Sequence, residues 1–220
     1  GDAMKVAETN DWLITLGIKP SRPDTGYGYI QYLEDVIKPE VPQLRKVKTF
    51  TEKPSHDIAV SFLESGDFLW NAGIFVWEVN NIIRAFERFL PELHDVFDSG
   101  KADFNTPNEK AAIEKIYPMC VNISIDYGIM EKADNVYVIP ASFGWSDLGT
   151  WASAYETLDK DYLGNAVAGN NVMVIDATNN MVHVPHEKLV LLQGLDDFII
   201  VDTEDVLLIC RKSNEQDIKE

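Results

Sequence analysis

The sequence has 220 residues, of which 45% are hydrophobic and 25% are charged, which excludes a disordered or fibrous chain. Its formal net charge of −17 argues against binding to nucleic acid or to an anionic membrane, because both are held by clustered Lys and Arg. No apolar run is long enough to cross a bilayer. The two cysteines, Cys120 and Cys210, lie in apolar surroundings, so we expect buried free thiols and a cytoplasmic location.

Alternating strands and helices are predicted for residues 1–158. Apolar runs at 12–16 and 68–77 indicate buried strands, and residues 47–52 form a third candidate. Ser55 as an N-cap and Gly66 as a stop predict a helix over 56–65. The remaining predicted elements are helices at 81–90 (capped by Asn80), 91–99, after a capping box at 106–109, around 127–133 and at 148–158, and strands at 121–125 and 136–139.

The pattern changes after Asp159. Short β-rich runs recur about every 8–10 residues, with turn residues such as Asn179 and Asn180 between them. Regular short strands of this kind indicate a small β-domain or a β-solenoid. We therefore predict two domains, an α/β domain at 1–158 and a β-rich segment at 159–220.

Clusters of glycine and polar residues fall at predicted strand ends or loops, where open α/β sheets bind ligands. In TGYGY (25–29), the glycines let a ligand reach the backbone, although a plain turn between aromatic side chains is the alternative. In EKP (52–54), Glu52 can accept hydrogen bonds from a diol and Lys53 can meet a phosphate. The alternative for that pair is a surface ion pair before a proline.

Two further clusters carry an amide and two carboxylates. In WNAG (70–73), Asn71 must satisfy its amide through structural hydrogen bonds or through a ligand. Gly73 has no side chain and so allows a close approach beside it. Asp147, in GWSDLGTW (144–151), stands where a helix begins, and Asp126 stands at a similar strand-to-helix position. Each of these carboxylates is therefore either an N-cap or a ligand for a hard cation such as Mg²⁺.

In their order and spacing, these clusters resemble the signature segments of mannose-1-phosphate guanylyltransferases. The segments that carry the resemblance are LGIKP (16–20), RP (22–23), TGYGYI (25–30), FTEKP (50–54), LWNAG (69–73), SIDY (124–127) and GWSDLGTW (144–151). The resemblance implies an α/β fold with part of a Rossmann-like nucleotidyltransferase domain, followed by a β-helix-like segment. That agrees with the two predicted domains.

The resemblance also implies an activity and a set of site residues. The family joins GTP and mannose 1-phosphate to give GDP-mannose and pyrophosphate, with Mg²⁺ as the cofactor. By this resemblance Lys53 and Asp147 are catalytic, and Asp147 is a ligand of Mg²⁺. The residues that it assigns to substrate binding are Gly26, Tyr27, Gly28, Glu52, Lys53, Asn71, Gly73 and Asp126.

The chain departs from the family pattern in two ways. The Gly-rich loop of the form LAGGxGxRLWP followed by PKQ, and an earlier metal-binding Asp, do not occur among the 220 residues. Ala72 stands where a serine is common. We therefore expect the chain to correspond to the C-terminal portion of such an enzyme, the second half of the catalytic domain plus the β segment, and to be inactive by itself.

Alternatives to this function remain open at this point. One is a non-catalytic sugar-phosphate-binding or regulatory module, and another is a related sugar-1-phosphate nucleotidyltransferase of different specificity. The sequence is compatible with a homodimer but does not determine the oligomeric state.

Overall fold

The computed structural model describes residues 1–35, 37–184 and 187–219. The chain divides into two compact units, Gly1–Phe143 (unit 1) and Gly144–Glu220 (unit 2). No helix within the described ranges is long and apolar enough to cross a membrane.

In the described part of unit 1, five strands form a mixed sheet. They are β1 (Leu13–Ile18), β2 (Tyr29–Tyr32), β3 (Arg45–Thr51), β4 (Phe68–Val76) and β5 (Val136–Ala141). Their pairing closes on itself in the order β1-β4-β2-β3-β5. Only β1 and β5 run parallel, and the other neighbouring pairs are antiparallel. The predicted α/β class is confirmed, with antiparallel pairs in addition to a parallel one.

The pairing of β1 with β4 is irregular next to Asn71. Thr15 lies opposite Phe75, but Gly17 lies opposite Asn71, so β4 carries extra residues between these two pairs. Gly73 stands in this bulge with φ of +66°, in the left-handed region that glycine adopts without strain. The bulge lies beside Asn71, in the middle of β4.

Helices cover the sheet of unit 1. They are α1 (Asp2–Ala7), α2 (His56–Ser65), α3 (Val79–Phe89), α4 (Pro91–Ser99) and α5 (Glu109–Ile116), with short 3₁₀ turns at Lys101–Asp103 and Tyr117–Met119 and a π-helical turn at Asp126–Met130. The main core brings Ile82 and Ala85 of α3 against Leu13, Leu69 and Val138 of the strands. The π-helical turn adds Ile129 and Met130 to the same core.

Several local predictions are confirmed and others are wrong. Helix α2 has the predicted bounds, and α4 begins at Pro91 and ends before Gly100 as predicted. Glu78, not Asn80, caps α3, because its carboxylate accepts hydrogen bonds from the backbone N–H groups of Asn80 and Asn81. Residues 121–125 form no strand, and the helix predicted around 127–133 is the π-helical turn Asp126–Met130.

The described residues of unit 2 form one α-helix and six short strands. They are α6 (Trp151–Thr157), β6 (Ala166–Ala168), β7 (Val172–Ile175), β8 (Met181–His183), β9 (Val190–Gln193), β10 (Phe198–Asp202) and β11 (Leu207–Arg211), followed by a 3₁₀ segment at Lys212–Lys219. Strands β6, β8 and β10 are parallel neighbours, and β7 pairs in parallel with β9. Successive turns of chain therefore stack in register, as in a β-helix, which confirms the predicted β-rich architecture.

The division between the units falls at 143/144, earlier than the predicted domain boundary at 158/159. The reason is that α6 packs on the strands of unit 2. Trp151 and Tyr155 contact a core that contains Ala166, Met181 and Ile199. The two cysteines are free, as expected, but both are half-buried rather than buried.

Candidate functional site

The candidate site lies in unit 1, where Glu52 follows the end of β3 and Asn71 lies in β4. Between them Gly28 precedes β2, and its carbonyl accepts a hydrogen bond of 2.8 Å from Asn71 N. A Cβ atom on Gly28 would lie less than 3.0 Å from Glu52 Oε2 and 3.3 Å from Asn71 Cβ. A side chain at this position would therefore displace the carboxylate, because it would occupy the space between the carboxylate and the amide.

Glu52 is a buried carboxylate with one cation beside it. Its side chain is 10% exposed, and Lys53 Nζ lies 3.4 Å from Glu52 Oε1 while its own side chain is 59% exposed. Burial raises the pKa of Glu52 above its ordinary value, the charge of Asp126 raises it further, and Lys53 opposes both. The site thus pairs a desolvated acceptor of hydrogen bonds with a solvent-accessible positive charge.

Lys53 has an uncommon backbone conformation for a residue other than glycine. Its φ of +46° lies in the left-handed region, and its N–H donates to the carbonyl of Tyr27 at 3.3 Å. Such conformations cost energy and persist where the surrounding structure holds them. The turn at Lys53 therefore links the end of β3 to the glycine loop that contains Tyr27.

The amide of Asn71 is fully engaged on its oxygen. Asn71 Oδ1 accepts hydrogen bonds from the hydroxyl of Thr15 at 2.9 Å and from Gly73 N at 3.2 Å. Asn71 Nδ2 donates to Asp126 Oδ1 at 2.9 Å. Burial raises the pKa of Asp126, while the hydrogen bond from Asn71 and the charge of Lys53 lower it.

The segment around the π-helical turn holds the end of β3. Glu131 Oε1 accepts a hydrogen bond of 3.0 Å from Glu52 N, and the hydroxyl of Tyr127 lies 3.4 Å from Glu52 O. Together with Asp126, this segment therefore contacts both Glu52 and Asn71. π-Helical turns occur frequently at functional sites.

The loop before β2 is organised by Asp24, a residue that was not among the predicted site residues. Asp24 Oδ1 accepts a hydrogen bond of 2.8 Å from Gly26 N, and Arg22 Nη2 lies 2.7 Å from Asp24 Oδ2. The ring of Tyr27 packs edge-on against Trp70, with 5.0 Å between the ring centroids. Gly26 and Tyr27 therefore shape the loop that delivers Gly28 to the site.

Asp147 belongs to unit 2, in the irregular segment before α6. Thr150, not Asp147, caps α6, because its hydroxyl accepts from Ser153 N in a reciprocal capping box. The structural alternative for Asp147, an N-cap of this helix, is therefore wrong. Within the described ranges, no group of three or more His, Cys, Asp or Glu residues is placed to hold a metal ion.

The structure brings five of the predicted site residues into direct or adjacent contact: Gly28, Glu52, Lys53, Asn71 and Asp126. Gly73 joins them through its N–H. Asp24, Thr15 and Glu131 were not predicted from the sequence. Asp24 carries a local signal, since an Asp two residues before a glycine favours an Asx turn. Thr15 and Glu131 carry none, because their partners are 56 and 79 residues away.

Comparison with known proteins identifies two families along the chain. Residues 2–162 match the nucleotidyl transferase family, and residues 169–220 match the mannose-phosphate isomerase/GMP-like β-helix domain. An alginate biosynthesis protein AlgA of Pseudomonas fluorescens is 35% identical over 98% of this chain and 44% of its own length. A mannose-1-phosphate guanylyltransferase of Escherichia coli is 32% identical over 99% of this chain and 46% of its own length.

A solved structure agrees with both matches. A Thermus thermophilus protein described as a mannose-1-phosphate geranyltransferase superposes with a TM-score of 0.80 at 28% identity, covering 99% of this chain and 61% of that one. The chain spans less than half the length of the curated relatives above.

The predicted correspondence to the C-terminal portion of such an enzyme was wrong. Residues 2–162 match the transferase family itself, and this match precedes the β-helix match. The chain therefore corresponds to an N-terminal-like portion of such enzymes, not to a C-terminal one. By the match over most of its length, the chain belongs to the nucleotidyl transferase family.

Proposed function

We propose that this protein is a sugar-1-phosphate nucleotidyltransferase that joins mannose 1-phosphate to GTP, and that unit 1 binds the sugar phosphate. An oxygen of the sugar phosphate attacks the α-phosphorus of GTP. The bond from that phosphorus to the bridging oxygen breaks, and pyrophosphate leaves with the electron pair. Because such chemistry depends on positioning and on neutralising charge, the protein's task is to hold two anions in line.

The observation that supports this proposal best is the arrangement of Glu52 and Asn71 on the two sides of Gly28. A hexose presents several hydroxyls, each of which both donates and accepts hydrogen bonds. The buried carboxylate of Glu52 accepts from them, and the Asn71 amide donates to them. The glycine lets both side chains lie close to the backbone and to each other, since even a methyl group there would meet both of them.

Lys53 is the group that we assign to the phosphate. Its ammonium is more than half exposed, while its ion-pair partner Glu52 is buried beside the proposed hexose position. A lysine acts on phosphate as a mobile point charge, which suits a group that must follow the sugar phosphate into the reaction. The overall charge of −17 makes this local cation more important, because the remaining field repels both substrates.

Mg²⁺ is the proposed cofactor, with Asp147 as its protein ligand. A carboxylate oxygen is the donor that Mg²⁺ prefers, and Mg²⁺ usually takes only one or two carboxylates, with the rest of its shell from water and substrate phosphates. The lack of a three-residue acidic or histidine cluster within the described ranges fits that mode better than a protein cage. When bound, the ion neutralises phosphate charge.

Calorimetric titration tests the proposal directly. The 220-residue chain is titrated separately with mannose 1-phosphate, glucose 1-phosphate, GTP and inorganic phosphate. We expect mannose 1-phosphate to bind more tightly than glucose 1-phosphate and inorganic phosphate, and more tightly than GTP. Tighter binding of GTP would show that unit 1 holds the nucleotide instead, and equal binding of all anions would show that no hexose site exists.

A further inference from the structure

We propose that Thr15 is a positioning residue for the sugar, acting through Asn71 and not by touching the substrate. The proposal rests on the function proposed above and assigns a role within the same site. In this role, the Thr15 hydroxyl fixes the orientation of the Asn71 amide, so that Asn71 offers a hexose hydroxyl only an N–H donor.

The placement of Thr15 supports such a role. It is a fully buried polar residue inside the apolar strand β1, flanked by the buried side chain of Ile14. Its hydroxyl lies 2.9 Å from Asn71 Oδ1 and 3.3 Å from the carbonyl of Ile74. A hydroxyl has one proton to donate, and the shorter distance favours the amide oxygen as its acceptor.

The neighbours of Asn71 determine which way its amide faces. Gly73 N is a backbone donor at 3.2 Å, so the atom that faces it must be the oxygen. Thr15 occupies the second lone pair of that oxygen. On the other side, Asp126 Oδ1 accepts one proton of Nδ2. What remains for a ligand is the second N–H of Asn71, and a hydroxyl next to it must accept that hydrogen bond.

This arrangement fixes the direction of hydrogen bonding around the sugar. A hydroxyl that accepts from Asn71 still has its own proton to donate, and the carboxylates of Glu52 and Asp126 are the acceptors at this site. Without the Thr15 hydroxyl, the amide loses one of the restraints on its orientation and leaves a buried lone pair unpaired, which is unfavourable. The amide then samples other orientations, and the donor that meets the sugar is no longer held in place.

The test uses Thr15→Val, which removes the hydroxyl but keeps the branched shape, and Thr15→Ser, which keeps the hydroxyl. Mannose 1-phosphate and GTP are titrated separately into the 220-residue chain, and thermal unfolding checks that each variant folds. We expect Thr15→Val to weaken mannose 1-phosphate binding about 3- to 10-fold, the loss that corresponds to one neutral hydrogen bond. We expect Thr15→Ser to keep the wild-type affinity for mannose 1-phosphate. Neither variant should change the affinity for GTP.

A reference variant, Asn71→Ala, separates failure of this inference from failure of the proposed function. We expect Asn71→Ala to weaken binding at least as much as Thr15→Val, and Thr15→Val to add nothing in that background. If Asn71→Ala weakens binding but Thr15→Val does not, the role of Thr15 is wrong and the proposed function stands. If Asn71→Ala has no effect, the proposed site itself is wrong.

Two further outcomes would also overturn the role of Thr15. One is an equal loss in Thr15→Ser and Thr15→Val, which would mean that packing rather than the hydroxyl is responsible. The other is a parallel loss of mannose 1-phosphate and GTP binding, which would indicate general damage to unit 1. Should Thr15→Val fail to fold, Thr15→Ala removes the same hydroxyl with less bulk and is judged by the same comparisons.

Discussion

Replacing Gly28 by alanine tests the geometry of the site most sharply. The new methyl group would lie less than 3.0 Å from Glu52 Oε2, a distance that real Cβ contacts do not show, and 3.3 Å from Asn71 Cβ. The backbone at Gly28 does not have positive φ, so alanine fits the chain itself. The carboxylate is the far end of a flexible side chain, and it yields by moving about 1 Å, a displacement that can cost about 10²-fold in a precisely positioned site.

We therefore expect Gly28→Ala to fold normally and to weaken mannose 1-phosphate binding about 10- to 100-fold. The measurement is calorimetric titration, accompanied by thermal unfolding. Gly100→Ala is the matched control in unit 1, because its methyl group would meet the flexible side chain of Ile116 at 3.1 Å, away from the site residues. Unchanged binding in Gly28→Ala, with the control also unchanged, would refute the placement of the sugar against Glu52 and Asn71.

Two further substitutions test the charged groups. Lys53→Ala should weaken mannose 1-phosphate binding roughly 10- to 150-fold, because a charged hydrogen bond contributes about 1.5–3 kcal/mol, and should leave GTP binding unchanged. Lys48→Ala, an exposed cation of β3, is the control, and equal losses for both ligands or both lysines would contradict the role of Lys53. When Mg²⁺ is titrated into the 220-residue chain, Asp147→Asn should raise the Mg²⁺ concentration for half-maximal binding about tenfold or more, since removing a carboxylate removes a preferred ligand. Asp159→Asn, an exposed acid of the same unit, should not do so.

Features with a local cause could be predicted from the sequence. Gly66 ends α2 in the left-handed conformation, and Pro91 begins α4 because a proline at the first helical position loses no hydrogen bond. The strand predicted at 121–125 fails for a non-local reason. Its alternating pattern suits a strand, but Val121 is 56% exposed and the segment pairs with no strand in the described part of the chain. A strand needs a partner edge, which no local pattern reveals.

In the candidate site, too, some features have a local cause in the sequence and others depend on contacts between distant residues. Polar residues at a strand end identified Glu52 and Lys53, and a polar residue inside an apolar strand identified Asn71, because such positions stand out against apolar neighbours. The contacts that orient them could not be predicted, since Thr15 and Glu131 reach residues 56 and 79 positions away. The sequence left Asn71 as either a structural or a ligand-binding residue. The structure shows that its oxygen has structural partners, while one proton of its nitrogen remains for the role that we propose.

A final prediction concerns the effect of the buried Glu52 carboxylate on the stability of the folded chain. Burial and the charge of Asp126 raise the pKa of Glu52 above its ordinary value of 4.5, so the folded chain holds this proton more tightly than the unfolded chain does. Folding is therefore favoured by this group at low pH and opposed by it once the pH rises past its folded pKa. Glu52→Gln removes the buried charge but keeps the shape.

We expect Glu52→Gln to raise the melting temperature at pH 7, and in a chain of this size each 1 kcal/mol gained corresponds to roughly 2–4 °C. The gain should shrink as the pH falls through the raised pKa of folded Glu52 and disappear below 4.5, where Glu52 is protonated in both states. The same variant should lose binding of mannose 1-phosphate. Asp67→Asn should change the stability in the opposite direction, because hydrogen bonds from Gln31 and Ser65 lower the pKa of Asp67. This substitution should destabilise the chain at pH 7, and the destabilisation should disappear in acid. A pH-independent gain for Glu52→Gln would mean that repacking, not removal of a buried charge, stabilises the variant.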